Sequence, residues 1–212
     1  MRTKKRFSRE AELMQAALTE FCRASYKAAS LNAILEEARI SKGVFYHHFA
    51  DKQALYLFVL EHAFNAKWVY IRQRAEKDRE IFAHGDIFAK FRLQAAYATE
   101  FAVLHPQYQA LSRMLLREPD SPILRLVRQR FGTDTAGLLA EMVDEALARN
   151  EMRGGFPRAF LVRALNYLFS GFEEVFAAEQ EPQQQRLLAD LDLYVDMLQN
   201  GLGAQNTKEE SP

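Results

Sequence analysis

Residues 41–52 of this 212-residue chain read Ser-Lys-Gly-Val-Phe-Tyr-His-His-Phe-Ala-Asp-Lys. Helical geometry sorts them into two faces. At about 100° per residue, with Phe45 at zero, Phe49 lies about 40° away, and the two rings form an inward anchor. Gly43 and His47 fall about 160° and about 200° away, facing outward, with Val44 and Tyr46 beside them. Such a face can work at a base edge. Glycine admits close backbone approach, an imidazole donates or accepts, Val44 packs on a thymine methyl, and the Tyr46 hydroxyl reaches a phosphate. Lys42 and Lys52 suit phosphate, and the exposed N–H groups at helix starts add to that pull. Periodicity alone fits an ordinary surface helix with two buried aromatics equally well.

Several elements must position these residues. Residues 1–7 are basic, with Arg6 available to nucleic acid. Ser8 reads as the N-cap of a helix to about residue 23, whose Leu13, Ala16, Ala17 and Phe21 share one face. Ser30 caps a second helix over 31–38, with Leu31, Ile34 and Leu35 inward. After the turn Arg39-Ile40-Ser41, Ser41 caps a third helix ending near Phe49. Two short helices around a three-residue turn make a helix-turn-helix, whose second helix enters a DNA major groove. Asp51 then caps a long fourth helix over about 52–77.

The remainder reads as longer amphipathic helices. Asp86 starts one to about Leu104, and Pro106 opens a short one ending near Arg117. Ser121-Pro122 opens another toward Asn150, with Gly132 and Gly137 as points where it can bend or break. Gly154-Gly155 punctuates, and Pro157 opens a helix whose Leu161, Leu165, Leu168, Phe172 and Val175 step by four, three, four and three. Pro182 opens the last helix, where Leu187, Leu191, Tyr194 and Leu198 step likewise. These seams suit near-parallel helix packing, inside the domain's own core or against a partner. Phe160, Phe169 and Phe176 widen the first beyond what one core contact needs.

Composition agrees. Ala (30) and Leu (26) far outnumber Val (9) and Ile (6), which favours an all-α fold. About nine helices are expected, divided into an N-terminal three-helix DNA-binding domain (1–51), a larger helical domain (52–203) and a disordered tail (204–212). The single cysteine, Cys22, excludes an intramolecular disulfide. It is expected to be a small buried apolar residue, and a reducing cytoplasm fits. His47 and His48 are adjacent and diverge, a poor metal pair. No run of apolar residues is long enough to span a membrane. Neither a nucleophile motif nor a phosphate-binding glycine loop is present, so neither an enzyme nor a cofactor is expected. Net charge is zero, yet residues 1–52 carry ten basic and six acidic groups, and the rest carries eighteen and twenty-two. The surplus of four positive charges sits with the helix-turn-helix, as DNA binding requires.

Across residues 8–56 the sequence resembles the TetR family of bacterial transcription regulators. The resemblance rests on Ala16-Ala17 with Phe21, Ser30-Leu31 with Ile34, Ala38, the run Ile40 to Phe49, then Asp51-Lys52 and Leu55. Arg39 stands where the family usually has glycine, and Leu35 where it usually has alanine. A left-handed backbone at Arg39 costs about 1 kcal/mol. The resemblance implies a ligand-responsive dimer, a repressor on a palindromic operator, contacted by Arg6, Ser30, Ser41, Lys42, Gly43, Val44, Tyr46, His47, His48 and Lys52. It implies a dimer interface built from the two C-terminal seams. It implies an effector pocket among Phe64, Trp68, Tyr97, Phe101, His105, Arg113, Phe169 and Glu173, suited to an aromatic or lipophilic molecule. The alternative is a helical interaction protein without sequence-specific DNA binding.

Overall fold

The computed structural model describes residues 9–117, 121–176 and 184–202. Its ten α-helices are α1 (Glu10–Arg23), α2 (Leu31–Glu37), α3 (Lys42–His48), α4 (Lys52–Ala75), α5 (Arg79–His84), α6 (Ile87–Leu104), α7 (Pro106–Leu116), α8 (Pro122–Ala148), α9 (Arg158–Phe176) and α10 (Gln184–Leu202). The fold is all-α, as composition and periodicity predict.

Side-chain caps fix many of the starts. The hydroxyls of Ser30, Ser41 and Ser121 accept from the N–H groups of Ala33, Val44 and Leu124 at 3.2–3.3 Å. The carboxylates of Asp51 and Asp86 accept from Ala54 and Ala89 at 2.8 and 2.7 Å. Each satisfies a donor the helix leaves unpaired. Helix α1 departs from expectation. Its N-cap is Arg9, without a side-chain cap bond, and Ser8 lies outside the described residues. Helix α8 runs through Gly132 and Gly137 without a break. Helix α5, a turn and a half without a side-chain cap bond, was not expected.

Contacts gather the chain into two compact units, residues 1–68 with 104–127 and residues 69–103 with 128–212. This grouping does not follow the linear boundary at 51/52. In the first unit α1 packs on α2 and on α7, a helix distant in sequence. Its core holds Leu13, Ala17, Phe21, Ile34, Phe45, Leu55, Val59 and Leu111, all nearly inaccessible. The Cys22 thiol is half-buried, not enclosed, and donates to the Gln107 carbonyl at 3.1 Å. Burial pushes its pKa up, which keeps it protonated and unreactive.

The second unit has its own core: Ile87, Phe88 and Phe91 of α6, Leu139, Val143 and Ala146 of α8, Leu161 and Leu165 of α9, and Leu191, Val195 and Leu198 of α10. Lys90 lies inside this core, and its ammonium reaches Glu145 at 2.7 Å. Among the described residues, no helix is long and apolar enough to cross a membrane.

Candidate nucleic-acid interface

Helix α3 is seven residues long and cannot stand alone. It is held by Phe45, buried and stacked on Phe49 with ring centroids 5.5 Å apart; Phe49 in turn meets Phe58 of α4 edge-on at 5.3 Å. With Phe45 inward, Lys42, Gly43, Val44, Tyr46 and His47 stand exposed, Val44 at 45% and Tyr46 at 56%. Val44 and Tyr46 are thereby accessible to a molecule outside the chain. Among the described residues, a Cβ on Gly43 would meet only the Ser41 hydroxyl, at 3.9 Å. The space over Gly43 is open to an approaching molecule. His48 is half-buried, its ring edge-on to His47 at 4.9 Å. Ser30 and Ser41 are exposed and remain able to donate their hydroxyl protons while capping. Arg6 lies outside the described residues.

The turn between α2 and α3 is left-handed at Arg39, φ 54°. This is the conformation in which arginine carries the cost that glycine avoids. The Arg9 guanidinium donates to the Arg39 carbonyl at 2.9 Å, and the Glu20 carboxylate accepts from the Ser30 N–H at 2.7 Å. Neither residue was anticipated, because each acts across more than a helical turn of sequence on a backbone atom. Lys52 makes contacts that spacing did not anticipate. Its ammonium donates to the carbonyls of Ala29 at 2.7 Å and Lys27 at 3.2 Å, above the Tyr26 ring.

The residues expected to line an effector pocket fall in both units. Phe64, Trp68, His105 and Arg113 belong to the first, Tyr97, Phe101 and Phe169 to the second, and the Glu173 side chain lies outside the described residues. Within the second unit Phe169 stacks on Phe91 of the core, Phe101 meets Tyr70, and the buried Tyr97 hydroxyl donates to Asp78. Burial first, and the Asp78 carboxylate second, push Tyr97 up to about 12. A void of about 170 Å³ occurs elsewhere, lined by Tyr26, Lys27, Gln53, Ser121, Pro122, Ile123 and Leu126.

The residues of the expected dimer seams divide by burial. Leu161, Leu165, Leu191 and Leu198 are buried within the protomer, so they have no surface left for a partner. Leu168, Leu187 and Tyr194 are half-buried against the same core, and the Tyr194 hydroxyl donates to the Leu168 carbonyl at 2.7 Å. The side chains of Phe172 and Val175, and Pro182, lie outside the described residues. Among the described residues, the open apolar ones on these helices are different: Phe160 and Tyr167 on α9, Leu193 and Met197 on α10, with Tyr167 at 77% and Leu193 at 71% exposure.

Residues 13–59 match the family model described as bacterial regulatory proteins, tetR family. No curated protein matches the chain. Among solved structures, it resembles FadR from Bacillus subtilis in complex with stearoyl-CoA at 14% identity and TM-score 0.70, over 90% of this chain and 98% of that one. It resembles a TetR family transcriptional regulator from Chloroflexus aurantiacus at 21% identity and TM-score 0.61, over 93% and 94%. It resembles the ketosteroid transcriptional regulator KstR2 of Mycobacterium tuberculosis at 14% identity and TM-score 0.60, over 95% and 98%. At these identities the likeness concerns the fold, while the helix-turn-helix carries the sequence match. Residues 13–59 thus carry the N-terminal segment shared by bacterial regulatory proteins of the tetR family.

Proposed function

We propose that the chain is a cytoplasmic, effector-released repressor that binds a palindromic operator as a homodimer. The observation that carries this reading is the outward face of α3, where Lys42, Gly43, Val44, Tyr46 and His47 stand open around a buried Phe45. In the proposed roles, Val44 and His47 read base edges over Gly43. Lys42, Tyr46, Ser30, Ser41, His48 and Arg6 contact the phosphates or flank that contact. Residues 1–51 serve DNA, residues 52–203 serve effector and partner, and residues 204–212 form a tail. The partner surface is assigned to the open residues Phe160, Tyr167, Leu193 and Met197. The first two lie one heptad apart on α9, and the last two one turn apart on α10. A two-fold pair would set its recognition helices about 34–36 Å apart.

The effector is proposed to be aromatic or lipophilic. The aromatic content of α4 and α6 supports this, as do the stearoyl-CoA bound by FadR and the ketosteroid role of KstR2. Release requires the effector to bind the DNA-competent and released states differently, by about 1–3 kcal/mol. Selection from a random duplex library tests the DNA claim. A two-fold symmetric sequence should emerge with half-site centres about ten base pairs apart, and no enrichment would favour a protein partner. Light scattering tests the dimer: Tyr167→Asp should give folded monomers, and a persistent dimer would remove the interface.

A further inference from the structure

We infer that Lys52 is a positioning residue for the helix-turn-helix, acting on DNA by holding the α1–α2 connection rather than by touching a phosphate. The inference rests on the DNA-binding reading above, and it begins with the connection itself. Residues 24–30 leave α1 in an extended conformation at Ala24 and enter α2 through Ser30. Lys27 and Ala28 are exposed, and Tyr26 and Lys27 border the 170 Å³ void, so on that side packing does not fix the segment. Ala29 is buried, and a buried carbonyl must find a donor.

Lys52 supplies that donor. It is the first residue of α4, whose start is fixed by the Asp51 cap. From there its ammonium bonds the Ala29 carbonyl at 2.7 Å and the Lys27 carbonyl at 3.2 Å. The same charge sits 4.9 Å from the centre of the Tyr26 ring, which leans on the buried Tyr56 of α4 at 5.1 Å. One ammonium therefore joins the first turn of α4 to the backbone just before α2. The Glu20 carboxylate, bonded to the Ser30 N–H, secures the next residue from α1. This knot ties the α4 start to the entry of α2, beside the direct Phe49–Phe58 contact that ties α4 to the end of α3. A cation committed to two carbonyls and a ring is not a mobile phosphate contact.

The test compares Lys52→Met, which keeps the aliphatic stem and loses the donors, with Lys52→Arg, which restores them. The DNA probe is the duplex that the wild-type chain enriches from a random library. Lys52→Met should weaken binding about tenfold to a hundredfold, the scale of lost charged hydrogen bonds. Its salt dependence should match that of wild type. Hydrogen exchange on the free protein should speed up over 24–34 and stay unchanged over α9 and α10. Lys52→Arg should restore both affinity and protection. If Lys52→Met does not fold, Lys52→Gln, which removes the charge and shortens the reach while keeping a polar end, takes its place with the same readouts. A salt slope lowered by about one with exchange unchanged would make Lys52 a phosphate contact and overturn the inference. Unchanged affinity and exchange would overturn it too. Should the wild type enrich no duplex, the DNA reading fails, while the exchange arm still decides whether Lys52 holds the connection.

Discussion

Helices α3 and α9 both carry an apolar stripe legible from spacing, yet the two stripes do opposite work. On α3 a single anchor, Phe45, is buried, and every other residue but the half-buried His48 is exposed. On α9 the regular stripe of Leu161 and Leu165 is consumed by the protomer's own core, and the exposed apolar residues, Phe160 and Tyr167, lie off it. Spacing locates the face that must be buried. It does not say what buries it. In a short helix with one anchor the complement of that face is what remains to act. In a long helix packed against α10, the complement must be read from structure.

This contrast can be broken at either helix. The largest effect is expected for Phe45→Ala, which removes a fully buried ring and should destabilise the first unit by about 3–5 kcal/mol in denaturant titration. Val44→Ala beside it should change stability by no more than about 0.5 kcal/mol. Equal effects at the two positions would dissolve the two-faced account of α3. Next, Leu165→Ala should cost about 3 kcal/mol whatever the protein concentration, as a core truncation does. A loss relative to wild type that varied with concentration would return Leu165 to a subunit interface.

A smaller effect separates the units by pH. The Lys90 ammonium, first through its hydrogen bond and then through its charge, holds the Glu145 carboxyl below its ordinary range. A depressed folded value means the pair stabilises above the ordinary carboxylate range and loses that contribution as pH falls through the depressed value. Glu145 is half exposed, so Glu145→Gln should cost only about 1 kcal/mol at neutral pH, vanishing under acid. A constant difference from pH 7 to pH 3 would show that the ion pair carries no stability. Smallest of all, Arg39→Gly relieves the left-handed turn but adds freedom to the unfolded chain, for a net gain below about 1 kcal/mol. A marked loss would mean that the arginine side chain holds the turn.

The caps explain how much the sequence revealed. Ser30, Ser41, Asp51, Asp86 and Ser121 act on N–H groups three residues away, so local reading finds them. Phe45 and the outward residues of α3 follow from rotation about one axis. The rest depends on long-range partners. Lys52 reaches back more than twenty residues to its carbonyls, Arg9 thirty to Arg39, and α7 returns to α1 across most of the first unit. No spacing rule encodes these. Helix α5 was missed because a turn and a half without a side-chain cap leaves almost no periodic signal. The burial of Leu161, Leu165, Leu191 and Leu198 in the protomer's own core shows that a heptad step names a buried face without naming its partner.

The most direct measurement is operator affinity against salt concentration for the wild-type chain, Lys42→Ala and Tyr46→Phe, using the duplex the wild type selects. Both variants should bind more weakly, and Lys42→Ala should also lower the slope of log affinity on log salt by about one, the loss of one phosphate contact. Full affinity and an unchanged slope in both variants would contradict the claim that the outward face of α3 meets DNA.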